Sequence, residues 1–155
     1  MKRPGFSLLE IIVVLAIIAV LSAGGFFYVH NIALQQEDDF VLSMLDMTAS
    51  ASAHIAREYR AVGISLPGVV KTTLPKSPGG TADIAAGLSV LIPGTGKTVL
   101  SLLEPYLSNG TAGLRYRGSP LCVYYDETME TVVIYAFDGT GIAEKNGVRM
   151  CAYLF

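Results

Sequence analysis

The sequence predicts an α+β protein in which one long N-terminal helix, apolar in its first half and amphipathic in its second, packs on a C-terminal antiparallel β-sheet of about four strands. Three observations carry this expectation. An unbroken apolar run fills residues 6–29, a helical periodicity takes over beyond it to about residue 60, and residues 113–155 alternate β-rich runs with turn residues. The 155 residues suit one domain of ordinary size. A chain with 52% hydrophobic and 15% charged residues and a mean hydropathy of +0.50 is too apolar to be disordered and unusual for a wholly soluble protein, which directs attention to a membrane segment.

Residues 1–5, Met1-Lys-Arg-Pro-Gly5, form a short basic leader. Residues 6–29 follow as 24 positions with a single charge, Glu10, and as a helix they would extend about 36 Å, enough to cross a bilayer. Lys2 and Arg3 precede the run, and the first charges beyond it are Glu37, Asp38 and Asp39, so the positive-inside rule keeps the N-terminus cytoplasmic and exports the rest. Phe26, Phe27 and Tyr28 read as an interfacial aromatic belt, and His30 just beyond it as a headgroup-level polar residue. Glu10 is costly where it stands: about 2.5–3.5 kcal/mol at the centre of a span and less near the edge. It either snorkels to water or meets a partner.

The leader ending in Gly5, the Phe at position 6, the Glu four residues later and the Ile/Val/Leu/Ala run together resemble the N-terminal signal of type IV pilins and pseudopilins. The resemblance covers about the first thirty residues. It implies that a membrane prepilin peptidase cuts between Gly5 and Phe6 and methylates the new amino terminus, and that Phe6 becomes the first residue. It further implies that Glu10 of one subunit meets the Phe6 ammonium of its neighbour, a pair that admits and registers each incoming subunit. Glycine suits the cut because a backbone without Cβ can be drawn close to the protease. The charge pair offsets two desolvation penalties and so supplies register more than stability. Losing Lys2 and Arg3 would take the formal charge from −2 to −4. The tetrapeptide Ser7-Leu-Leu-Glu10 recurs at Ser101-Leu-Leu-Glu104 with neither leader nor apolar run, so position gives the motif its meaning.

On this resemblance the chain is expected to be a structural subunit of a type IV pilus. It would enter the bacterial inner membrane as a single-pass prepilin and pass into an extracellular filament of homo- or hetero-type through heterologous contacts that do not close. Its partners would be other pilin subunits, the prepilin peptidase, the pilus assembly platform and the membrane. The alternatives are a pseudopilin of a type II secretion system and a membrane-anchored exported domain that never polymerises. An ordinary secretory signal cut near Ala23-Gly24-Gly25 is a competing reading, against which the length of the run and Glu10 both argue. The short leader and the paired cysteines discussed below favour a pilus over a pseudopilus.

Residues 30–62 continue the helix. Val41, Met44, Thr48, Ala51, Ile55 and Tyr59 fall on one face, and Asp39, Ser43, Asp46, Ser50, Arg57 and Arg60 on the other, with Gly63 and Pro67 as stop signals. Many pilins place a kinking proline late in the apolar half; this chain has Phe26 and Phe27 there, with Gly24-Gly25 as the alternative weak point. His54 is placed on the helix flank. Residues 63–112 are rich in Gly, Pro, Thr and Ser and read as a connecting loop region with one short helix. Within it, Pro93-Gly-Thr-Gly-Lys-Thr98 imitates the end of a P-loop, but the required upstream glycine is Leu91, which leaves a surface turn.

In residues 113–155 the runs 114–117, 121–125, 131–137 and 148–154 predict four strands separated by Gly118-Ser-Pro120, 126–130 and Asp138-Gly-Thr-Gly141. Cys122 and Cys151 fall on the second and fourth runs, and export to an oxidising space predicts that they form a disulfide closing this region. The resemblance agrees, since many pilins carry a C-terminal disulfide. Arg115, Arg117, Lys145 and Arg149 could form a basic patch, yet a net negative chain with pI near 5.6 argues against nucleic acid as a partner. No C-x-x-C or H-x-x-x-H spacing supports a zinc site, no cofactor is implied, and no nucleophile, base and orienting acid can be assembled, so the chain is not expected to be an enzyme.

Overall fold

In a computed structural model that describes residues 8–80, 82–107 and 110–155, the apolar run and the amphipathic stretch are one helix, α1 (Leu8–Ala61), which continues through Gly24-Gly25 without a break. The chain divides into two compact units, one ending at Gln36 and one spanning Glu37–Phe155. Among its described residues the first contributes only helix. From Leu8 to Asn31 every side chain is exposed.

In the second unit α1 buries the face that the periodicity predicts. Val41, Met44, Thr48, Ala51 and Ile55 are buried and Tyr59 is half-buried, joined by Leu45 and Ser52, while Asp39, Ser43, Asp46, Ser50, Arg57 and Arg60 are exposed. The helix ends in a Schellman motif. The N–H of Ile64 donates to the Tyr59 carbonyl and that of Gly63 to the Arg60 carbonyl, with Gly63 at φ +82°, a left-handed conformation that glycine adopts without steric cost.

The connecting region carries more helix than the expected single piece. It holds α2 (Leu66–Val70), α3 (Ile84–Leu88) and α4 (Val99–Leu103), followed by short 3-10 turns. Each is five residues long and set by its start: Pro67 lies in the first turn of α2, the Asp83 carboxylate accepts the Ala86 N–H before α3, and Thr98 and Ser101 form a reciprocal capping box on α4. The second Ser-Leu-Leu-Glu thus belongs to a capped helix whose Leu103 is buried. Residues 93–98 form a surface turn, closed by a bridge between Leu91 and Thr98.

The C-terminal region forms a three-stranded antiparallel sheet, with two small ribbons beside it. The ribbons pair β1 (Arg115–Tyr116) with β2 (Ser119–Pro120) and β5 (Glu144–Lys145) with β6 (Val148–Arg149). The sheet has the order β3 (Cys122–Asp126), β4 (Thr131–Tyr135), β7 (Cys151–Leu154). The first expected run therefore lies in a ribbon, and the last is divided between ribbon (β6) and sheet (β7). One sheet face carries Val123, Tyr125, Val132, Ile134, Ala152 and Leu154 into the core shared with Val41, Met44, Leu45 and Ile55. The outer edge of β3 is covered, since Val123 and Tyr125 donate their N–H groups to the carbonyls of Ala82 and Pro75.

The register overturns the expected disulfide. Cys122 is opposite Tyr135 and Tyr135 is opposite Cys151, so the two cysteines share a row and a face but stand two strands apart. That separation is about 9–10 Å between backbones, beyond the reach of a disulfide. Both thiols are free. Between them, Tyr135 is fully buried and its hydroxyl oxygen accepts the N–H groups of Gly79 and Gly80 at 3.1 and 2.9 Å. Burial, then the charge of Asp83, pushes the Cys122 thiol pKa up, and burial does the same for Cys151.

Candidate functional site

Among the described residues, the apolar stretch of α1 holds the longest series of exposed large hydrophobic side chains. Leu8, Leu9, Ile11, Ile12 and Val13 begin an exposed series that continues through Leu21 and on to Phe26, Phe27, Tyr28 and Val29. It covers the whole circumference of the helix rather than a stripe, the pattern of a helix surrounded by lipid or by other apolar helices. This is the one helix, among the described residues, long and apolar enough to cross a membrane. Glu10 sits in its first turn and lines a shallow apolar hollow with Ile11, Val14 and Leu15. At the N-terminus a carboxylate also complements the helix dipole. Gly5 and Phe6, the residues of the expected cut and methylation, lie outside the described residues. At the far end the rings of Phe26 and His30 stack, with centroids 6.5 Å apart and planes inclined by 3°. His54 faces Glu58 one turn on, at 3.9 Å.

A second constellation joins residues that the sequence treats separately. Glu37, Asp38 and Asp39 mark the end of the apolar stretch, and in the structure each engages a basic residue at a ribbon. The N–H of Arg117 donates to Glu37 Oε1 at 2.6 Å, the Arg117 guanidinium lies 3.9 Å from Asp38 Oδ1, and Lys145 Nζ donates to Asp39 Oδ1 at 2.6 Å. Asp38 is only 16% exposed, and its Oδ1 has no hydrogen bond, so Arg117 neutralises it through space rather than by a hydrogen bond. Burial first, then the Asp38 charge, raises the pKa of the neighbouring Tyr116 phenol.

The backbone explains how Arg117 gets there. Arg117 and Gly118 have φ of +49° and +80°, as do Asn146 and Gly147 at +52° and +78°, so both ribbons turn through two left-handed residues. Asn-Gly is the favoured pair for such a turn and Arg-Gly is not. At Arg117 the strained conformation coincides with a guanidinium stacked 4.9 Å from the Tyr116 ring centre and aimed at Asp38. The basic residues that could have formed a patch are thus engaged within their own chain: Arg149 pairs with Glu144 at 3.6 Å and Arg115 donates to the Gly118 carbonyl. Strand β5 is not among the predicted strands, although Asn146-Gly147 is a local signal for the turn that pairs it with β6.

Comparison with known families finds a match to the prokaryotic N-terminal methylation motif over residues 1–26. No curated protein and no solved structure matches the chain. The match covers the leader, Gly5, Phe6, Glu10 and most of the apolar run, and stops before the unit that begins at Glu37.

Proposed function

We propose that this chain, which carries the N-terminal signature of type IV pilins and pseudopilins, is a structural subunit of a type IV pilus: cleaved after Gly5, methylated at Phe6 and polymerised through its apolar helix. One observation carries the reading. Side chains from Leu8 to Val29 are exposed on all sides of α1, so the apolar area must be covered from outside the chain. Before assembly the cover is the bacterial inner membrane, and afterwards it is the helices of other subunits. The short leader favours a pilus over a secretion pseudopilus; the cysteines, being unpaired, add nothing to that choice. The chain acts on no substrate of its own, and the peptidase and assembly platform act on it.

The test is the mass and abundance of the chain in filaments sheared from the cell surface. The expected product begins at N-methylated Phe6 and is present at many copies per filament. A product that retains residues 1–5, or that begins after Gly25, would end this reading, and absence from sheared filaments would favour the pseudopilin or the monomeric anchor.

A further inference from the structure

The face of α1 turned away from the head core carries three charges that form no ion pair with the described residues of the head: Asp46, Arg57 and, about 40° off the side of Asp46, Arg60. Asp46 and Arg57 are both exposed and stand 11 residues apart. At 3.6 residues per turn that interval brings them within about 20° of the same side, separated by about 16 Å along the axis. Nearby charges other than Arg60 are engaged: Glu37 and Asp38 with Arg117, Asp39 with Lys145, Glu58 with His54. Among the described residues, Asp46 and Arg57 form no ion pair. The spacing between them is filled by small side chains, Ser50 and Ala53, with Ser43 beyond Asp46. Beside them lies an open groove of about 780 Å³ lined by Ser43, Asp46, Met47, Ser50, His54 and Tyr106.

We propose that this face docks a second copy of the same chain, parallel and shifted by about three helical turns, so that Asp46 of one copy meets Arg57 of the next. The occupant follows from the charges. A negative site and a positive site of equal strength on one side of one helix complement the same helix displaced along its own axis by their separation. Small residues between them allow two helices to approach to about 8–10 Å, and the groove takes the neighbour's longer side chains. The displaced contact leaves one Arg57 and one Asp46 unused at its two ends, so it propagates instead of closing. Because both charges share a side, each copy can meet its predecessor and its successor only if all copies turn this face toward a common screw axis. The inference rests on the filament reading and adds to it a charge-matched register within the exported unit.

The test combines charge reversal with cross-linking in intact cells. Asp46→Arg or Arg57→Asp alone places like charges opposite each other and should lower sheared filament at least tenfold with membrane subunit levels unchanged. The double reversal restores an opposite pair and should recover at least half of the wild-type yield. In an Arg57→Lys strain, a zero-length carbodiimide should join the Asp46 carboxyl to the introduced ammonium. Those groups are about 16 Å apart within one helix, so the link reports two copies. Wild-type yield from both single reversals, or a double no better than the singles, together with no cross-link, overturns the docking surface while leaving the filament reading intact. A cross-link without any sheared filament from the wild type sustains the surface and ends the filament reading, and loss of both ends both.

Discussion

Helix α1 contains two stretches with the same backbone geometry and opposite relations to solvent. From Leu8 to Asn31 no side chain is buried, whereas from Val41 to Ile55 seven are. The difference is one of pattern. The later stretch is apolar on one side, so a single sheet can cover it, and the chain supplies that sheet. The earlier stretch is apolar on every side, and no one face of a folded chain could cover it. Stability of the unit that begins at Glu37 is therefore internal, while the apolar stretch must take its surroundings from outside the chain, on the proposed function from lipid or from other copies. Substitutions in the two stretches should separate cleanly: one set changes assembly and spares the head's melting, the other does the reverse.

The largest expected effect lies at Glu10. Glu10→Ala should leave the mature N-terminus where it is, because the proposed cut lies between Gly5 and Phe6, with the mass falling only by the side-chain difference. It should reduce sheared filament at least tenfold, because on the proposed pairing an amine among apolar side chains loses its countercharge. The melting temperature of the full chain in detergent should not move. Full filament yield from this variant would remove the carboxylate from the assembly contact.

In the later stretch the corresponding change is Leu45→Ala. Leu45 is 1% exposed and belongs to the core shared with the sheet, so its truncation should cost about 2–5 kcal/mol of stability. Val14→Ala, an aliphatic truncation at an exposed position of the same helix, should stay within about 0.5 kcal/mol. Thermal unfolding of both variants in one detergent checks the pair. Equal losses would mean that the apolar stretch is packed within the chain itself.

How far the molecule could be read from its sequence follows the same division. Patterns with a period are legible: the buried face of α1 is the predicted one, and its end at Gly63 is a local stop signal. Elements of five residues are too short to show a period, which is why α2, α3 and α4 merge into a loop region when only composition is read. Strand order is not local either. Both cysteines fall on strands, as expected, but the order β3-β4-β7 inserts Tyr135 between them. The ion pairs of Arg117 and Lys145 connect positions 79 and 106 residues distant in sequence, and no motif announces them. The N-terminal methylation motif was legible because it lies in the local spacing of Gly5, Phe6 and Glu10 ahead of an apolar run.

The smallest effect sharpens the comparison through serine, which occurs in both stretches. Ser52 is fully buried; its hydroxyl donates to the Ala49 carbonyl at 2.7 Å and accepts the Phe155 N–H at 3.3 Å, tying the helix to the residue after β7. Ser52→Ala removes both bonds. The donor half is cheap, since a hydroxyl bonded to a carbonyl of the preceding turn competes with the helix's own ladder. The acceptor half matters more, but Phe155 is only half-buried, so water can replace part of it. The net loss should be about 0.5–1.5 kcal/mol. Ser22 is exposed within the apolar stretch, and Ser22→Ala should leave the melting curve where it was. An equal shift from the two variants would show that the hydroxyl contributes only through helix propensity, and that the bond from Phe155 to Ser52 does not hold the last strand to α1.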